Sequence, residues 1–220
     1  MLNNTMEVIK NFGTINQNLV VRQGNVLRTI ADAKNVLAQA TLDEEFPQDF
    51  GIYDVNEFIG AYNLVEDGTV HYQDKHMVIA NGQSSINYFY SDIEMLTNPP
   101  EKDLQVPNPE VTFNLTQDIL SQVRKASSAL GHKSVIIGRT ENDSVTLSIV
   151  DPKNTTSNEY TIEVDGVWHG DIHANARLSI NIDNLKLLPG DYAVEVSSKL
   201  ISKFTNVSRQ LQYWVALEKN

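Results

Sequence analysis

Cysteine is absent from all 220 residues, which excludes a disulfide framework, a thiolate nucleophile and any thiolate metal site. Long apolar runs are absent as well. The longest, residues 213–217, has five members, against the ~20 that a bilayer-spanning helix requires. The amino-terminal stretch, with Asn3, Asn4 and Glu7, lacks both the basic start and the apolar run of a signal peptide. A cytoplasmic location is therefore expected, and triplets such as Asn142-Asp143-Ser144 read as coincidental. No glycine-rich loop follows a strand pattern, and no serine sits in a nucleophile elbow. What the chain does have is 41% apolar residues, enough to bury a core.

Positive charge is scarce. Seventeen basic against 28 acidic residues give a net charge of −11, which disfavours wrapping of nucleic acid by broad electrostatic attraction. The imbalance is uneven, with net −8 over residues 1–100 and −3 over residues 101–220. Residues 119–140 contain Arg124, Lys125, Lys133 and Arg139 and no acid. An acidic body with one basic stretch requires an explanation.

Proline marks the organisation. Pro99, Pro100, Pro107 and Pro109 fall within twelve residues and can neither continue a helix nor occupy a central strand. An extended connector over residues 99–110 is expected between halves at 1–98 and 111–220. The first half opens with a helix over residues 5–15, with Met6, Ile9 and Phe12 on one side and Glu7, Lys10, Asn11 and Thr14 on the other. The second opens with a helix over residues 117–130 capped by Thr116, with an apolar stripe of Ile119, Leu120, Val123, Ala126, Ser127 and Leu130. Each half then repeats a strand-into-helix transition. In the first it leads to residues 55–65, where Asp54 and Glu57 have capping-box spacing; in the second, to residues 182–188, stopped by Pro189-Gly190. The remainder alternates with period two, as at Val145, Leu147 and Ile149. Two α+β units of two helices and several antiparallel strands result.

Trp168-His169-Gly170-Asp171-Ile172-His173 resembles the first metal-binding segment of metallophosphatases, but the second aspartate loop and the Asn-His pair of a two-metal site are missing. A polar turn between strands is the simpler reading. Asp43, Glu44, Glu45 and Asp49 lack the ligand alternation and glycine of a calcium loop. No catalytic residue, cofactor or metal is expected. Lys10, Arg124, Lys125 and Lys186 lie on non-core helix faces, with Lys133 just past a helix end. They are either a solvated surface or one cationic binding surface. The segment from Leu211 to Leu217 cannot turn all its apolar side chains to one side of a strand, so a second layer, a partner or solvent must meet the rest.

The ordered set IKNFGTIN (9–16), GIYDVNEFIGAYNLV (51–65), LLPGDYAVEV (187–196) and YWVALE (213–218) resembles the DNA polymerase sliding clamps of T-even-type phages, relatives of the proliferating-cell nuclear antigen. The resemblance covers nearly the whole chain and is weakest over residues 66–110. It implies an α+β fold with two similar clamp-type domains, antiparallel sheets outside, and helices lining the hole of a homotrimeric ring. Duplex DNA, a polymerase, a clamp loader and late-transcription factors are the implied partners, in the cytoplasm of an infected bacterium. Lys10 and Arg124 match basic positions on inner helices; Lys125, Lys133 and Lys186 join them by position. Ile30, Leu37, Trp214, Val215 and Ala216 match the groove for partner peptides, and residues 85–90 and 160–164 are candidate subunit edges. The alternative is a phage structural or protein-binding β-rich protein that never encircles DNA.

Overall fold

The structure is a computed structural model that describes residues 1–154, 156–169 and 178–219. The chain divides into two compact units, residues 1–101 and 102–220.

Unit 1 begins with α1 (Asn3–Ile15), which buries Met6, Val8, Ile9, Phe12 and Ile15, the expected stripe. The strands β1 (Leu19–Val21), β2 (Gly24–Ile30), β3 (Val36–Phe46) and β4 (Phe50–Ile52) follow. They form one antiparallel sheet in the order β4-β1-β2-β3. Helix α2 (Val55–Asn63) starts where Asp54 Oδ1 accepts from the backbone N–H of Asn56 and Glu57, at 2.8 and 3.2 Å. This is the expected cap, but the helix ends two residues early, in tighter turns from Leu64 N to Ala61 O and Val65 N to Tyr62 O. Helices α1 and α2 touch closely. A Cβ on Gly13 would lie 2.6 Å from Val55 Cγ1, so glycine sets their spacing. A meander of β5 (Thr69–Tyr72), β6 (His76–Asn81) and β7 (Ser84–Phe89) completes the unit.

Unit 2 repeats the plan with additions. Strand β8 (Val111–Leu115) precedes α3 (Gln117–Leu130). Thr116 Oγ1 accepts from Ile119 N at 3.3 Å, and Gly131 adopts φ +70° at the helix end, a left-handed stop that favours glycine. Strands β9 (Ser134–Arg139), β10 (Val145–Val150), β11 (Tyr160–Val164) and β13 (Leu178–Asn181) form a sheet in the order β11-β10-β9-β13. Between β11 and β13 in sequence, β12 (Gly166–Trp168) pairs with β8. The second meander, β14 (Tyr192–Ser197), β15 (Ile201–Asn206) and β16 (Leu211–Ala216), continues that sheet from β8. The four-strand orders β4-β1-β2-β3 and β13-β9-β10-β11 correspond strand for strand.

One expectation fails. Residues 182–188 do not form a helix; a single 3-10 turn, Ile182–Asn184, stands there. The backbone groups that a helix would pair internally go elsewhere. Leu185 O accepts from Arg124 Nη2 at 2.7 Å, Leu188 N donates to Tyr213 Oη at 3.2 Å, and Leu188 O accepts from Tyr192 Oη at 2.6 Å. Leu185, Leu187 and Leu188 are all buried, an arrangement no single helix face could provide so close to Pro189. The amino-terminal helix also begins at Asn3 rather than at residue 5.

Candidate functional site

In unit 2, the exposed face of α3 presents Arg124 and Lys125, with Asp118 as its only acid. Gly131 ends the helix and turns the chain so that Lys133 comes next to Ile182, whose N–H donates to Lys133 O at 2.8 Å. Arg124, Lys133 and Asp183 therefore border one open hollow of about 450 Å3. Two of the five expected cations meet there. Neither is idle: Lys133 Nζ is ion-paired with Asp183, and one of the five guanidinium N–H donors of Arg124 holds Leu185 O. Burial lowers the Arg124 pKa from its ordinary value, far too little to discharge an arginine. Lys125 is exposed. Lys186 sits on the irregular segment after the 3-10 turn rather than on a helix, and is half-buried with a partner of its own.

In unit 1, Lys10 is exposed on α1, one turn beyond Glu7. Exposed α2 positions are Asn56, Glu57, Gly60 and Asn63. The charged residues of α1, α2 and α3 sum to 0, −1 and +1. Their solvent faces are thus near neutral and rich in Asn, Ser and Gln, inside a chain of net −11.

The expected peptide-groove residues fall in both units. Ile30 and Leu37 are cross-strand partners on β2 and β3, Leu37 buried and Ile30 half-buried. On β16, Trp214 and Val215 are buried and Ala216 is half-buried. Trp214 Nε1 donates to Leu104 O at 2.9 Å, and Lys203 Nζ stands 5.6 Å from its ring centroid. Tyr213, on the opposite face of the strand, packs edge-on against Tyr192. Both faces of β16 are covered, which accounts for its unbroken apolar run.

Sequence reasoning missed a second hollow, of about 490 Å3, lined by Val20, Val26, Arg28 and Pro99 among others. Arg28 Nη1 donates to Pro100 O at 2.9 Å and also to Glu101 O, while Arg22 bonds Asp49 at 2.8 Å and Asn98 Oδ1 at 3.0 Å. The Gln23 backbone N–H, then Arg22, pull the Asp49 pKa below its ordinary value. Two arginines within seven residues of a cation-poor half were the available signal.

Residues 3–95 match the family model of the DNA polymerase processivity factor, and residues 112–219 that of the gp45 sliding clamp, C terminal. The sliding clamp of Vibrio phage KVP40 is 31% identical over 97% of this chain and 96% of its own length. The chain belongs to the phage sliding-clamp family. The sliding clamp of Escherichia phage RB69 is 27% identical, with 97% of this chain and 94% of that protein covered. Among solved structures, PCNA from Thermococcus kodakaraensis superposes with a TM-score of 0.70 at 12% identity, covering 98% of this chain and 96% of the other. The Proliferating Cellular Nuclear Antigen of Entamoeba histolytica gives 0.67 at 14% identity, over 98% and 95%. These two likenesses establish the PCNA-type fold. The clamp is a processivity factor of phage DNA polymerase and not an enzyme. Asp171 and His173, the metallophosphatase candidates, lie outside the described residues. No described helix is long and apolar enough to cross a membrane.

Proposed function

We propose that three copies of the chain join head to tail into a ring that encircles duplex DNA and holds the phage polymerase on it, in the cytoplasm of the infected bacterium. One observation carries the reading: β7 pairs only with β6, and β11 only with β10, among the described residues. Each ends its sheet with one side unpaired, on units of matching topology. Joining β7 of one copy to β11 of the next removes both edges, and repetition of that contact closes a ring. The observed strand, Ser84–Phe89, is one residue displaced from the sequence expectation.

Charge fits this use. Three subunits carry about −33, three times −11, which repels DNA from the exterior. Charges farther than a Debye length of ~8 Å are largely screened at physiological salt, so the near-neutral helix faces dominate what a threaded duplex meets. Lys10, Arg124, Lys125, Lys133 and Lys186 provide few and divided cations. Topology retains the duplex, and weak phosphate contacts leave it free to slide.

Ile30 and Leu37 in unit 1, and Trp214, Val215 and Ala216 in unit 2, are each anchoring residues for polymerase and loader peptides, with the Trp214–Leu104 bond as a cover that a partner displaces. Late-transcription factors are further candidates for the same residues. Light scattering should give three subunit masses, and the loaded clamp should stay on circular DNA and run off linear DNA. A monomeric mass at micromolar concentration, or equal retention on both DNAs, defeats the proposal. Lys10→Glu with Arg124→Glu should impair loading or sliding while the mass is unchanged. Normal DNA behaviour in that double variant removes their assigned role.

A further inference from the structure

We propose that the segment after β16, through Glu218, seals the β13 edge, so that a second copy of this chain can add to the β11-β10-β9-β13 sheet only at β11. The identity of the added partner rests on the ring proposed above; the seal itself is read from unit 2 alone. An open sheet edge presents unpaired N–H and C=O groups to any extended chain. On β13, Ser179 O faces away from β9 and accepts from Glu218 N at 2.8 Å. The Glu218 carboxylate accepts from Ser134 Oγ at 3.3 Å, Ser179 Oγ at 3.2 Å and Asn181 Nδ2 at 3.2 Å. Ser134 and Ser179 are 8% and 2% exposed, so without Glu218 those donors would be buried and unpaired. The preceding residue, Leu217, is buried and donates its N–H to Leu200 O at 3.1 Å.

Unit 1 contains the same device in different residues. Ser91 N donates to Gly51 O at 2.9 Å in an antiparallel bridge. Gly51 is the second residue of β4 and Ser179 the second of β13; Ser91 and Glu218 each lie two residues past the last strand of their meander. A Cβ at Gly51 would come within 2.5 Å of Ser91 O, so the glycine admits a tight seal there. In unit 2 a serine occupies the matching place and its hydroxyl joins the bond. Two unrelated local sequences thus close the same edge. Sealing β13 leaves β11 as the one edge of this sheet at which the head-to-tail contact can form, and repetition of that single contact closes a ring when its rotation does. A sheet open at both β11 and β13 would accept copies at either end and grow open chains.

The test compares the full chain with a chain lacking residues 218–220 and with Glu218→Ala, which keeps the backbone N–H. Light scattering over a range of concentrations reads assembly, and a fluorescent peptide of residues 215–219 probes the exposed edge. The full chain should give one assembled mass and negligible peptide uptake. The shortened chain should form larger species that grow with concentration and bind the peptide at least tenfold more tightly than the full chain does. Glu218→Ala should bind it more tightly than the full chain, and this variant decides the matter if the shortened chain does not fold. Unchanged mass together with no peptide uptake in a folded variant overturns the proposal. A full chain that is not trimeric defeats the ring reading, while the peptide measurement still decides the seal.

Discussion

Units 1 and 2 share a strand plan and differ in what surrounds it. In unit 2, β8 and β12 extend the second meander past β14, whereas in unit 1 β5 pairs with β6 alone among the described residues. Unit 1 follows β4 with a nine-residue helix; unit 2 follows β13 with one 3-10 turn. The helix is thus dispensable to the plan and the strand pairing is not. Where a helix would have satisfied its backbone internally, unit 2 recruits Arg124, Tyr192 and Tyr213 to do so from outside. A cost follows, since those side chains are then tied to the backbone and Arg124 has fewer donors for anything else.

The largest expected contrast between the units lies at the sealed edges. Gly51→Val forces a side chain into Ser91 O and Leu96 Cδ1, 2.5 and 2.7 Å from the new Cβ, and overpacking of this kind costs about 3 kcal/mol. Ser179→Ala removes one hydrogen bond at the matching site, about 1 kcal/mol. Urea unfolding should rank them in that order, and equal losses would contradict the tight approach of Ser91 to Gly51. Next comes Tyr213→Phe, which leaves the Leu188 N–H unpaired in a buried place, a loss of about 2 kcal/mol. Faster hydrogen exchange at Leu188 in that variant would identify the cause.

Smaller effects come from the caps. Asp54→Ala and Thr116→Ala should each cost about 1 kcal/mol, with helical signal lost from α2 and α3 respectively. The smallest concerns acid. Gln17 and the Glu57 backbone N–H lower the Asp54 pKa, as Gln23 and Arg22 lower that of Asp49. For a carboxyl group depressed in the folded state, the stabilisation is complete above the unfolded value of about 4 and is lost as pH falls through the lower folded value. In unit 2, burial raises the Glu110 pKa but the Ser198 hydroxyl and backbone N–H outweigh it, giving the same sign. Thermal midpoints should therefore fall below pH 4, and Asp49→Asn should flatten part of that slope. A midpoint that rises on acidification would contradict the sign.

Much of this was legible in the residues. Thr116 marked the start of α3, and the 3.6 period of Met6, Ile9 and Phe12 fixed the buried side of α1. Alternation at Val145, Leu147 and Ile149 matched a strand with those three side chains inward. The short apolar run at Leu185, Leu187 and Leu188 misled because its period is ambiguous at that length, and the groups that divert its backbone come from distant sequence. Glu218 and Ser91 were invisible for the same reason: an edge seal depends on which strand lies outermost, and only the three-dimensional pairing supplies that. Of the site, the charge contrast and the candidate cations could be read directly. The ion pair of Lys133 and the Leu185 contact of Arg124, which limit them, could not.

Trp214 has a practical consequence of its own. The chain contains two tryptophans, and a Trp168→Phe variant would leave a single indole, whose N–H is tied to the carbonyl of Leu104. Emission colour and lifetime from that ring would then report, without any attached dye, every displacement of the proline-rich segment around Leu104, including one by the partner peptides proposed above.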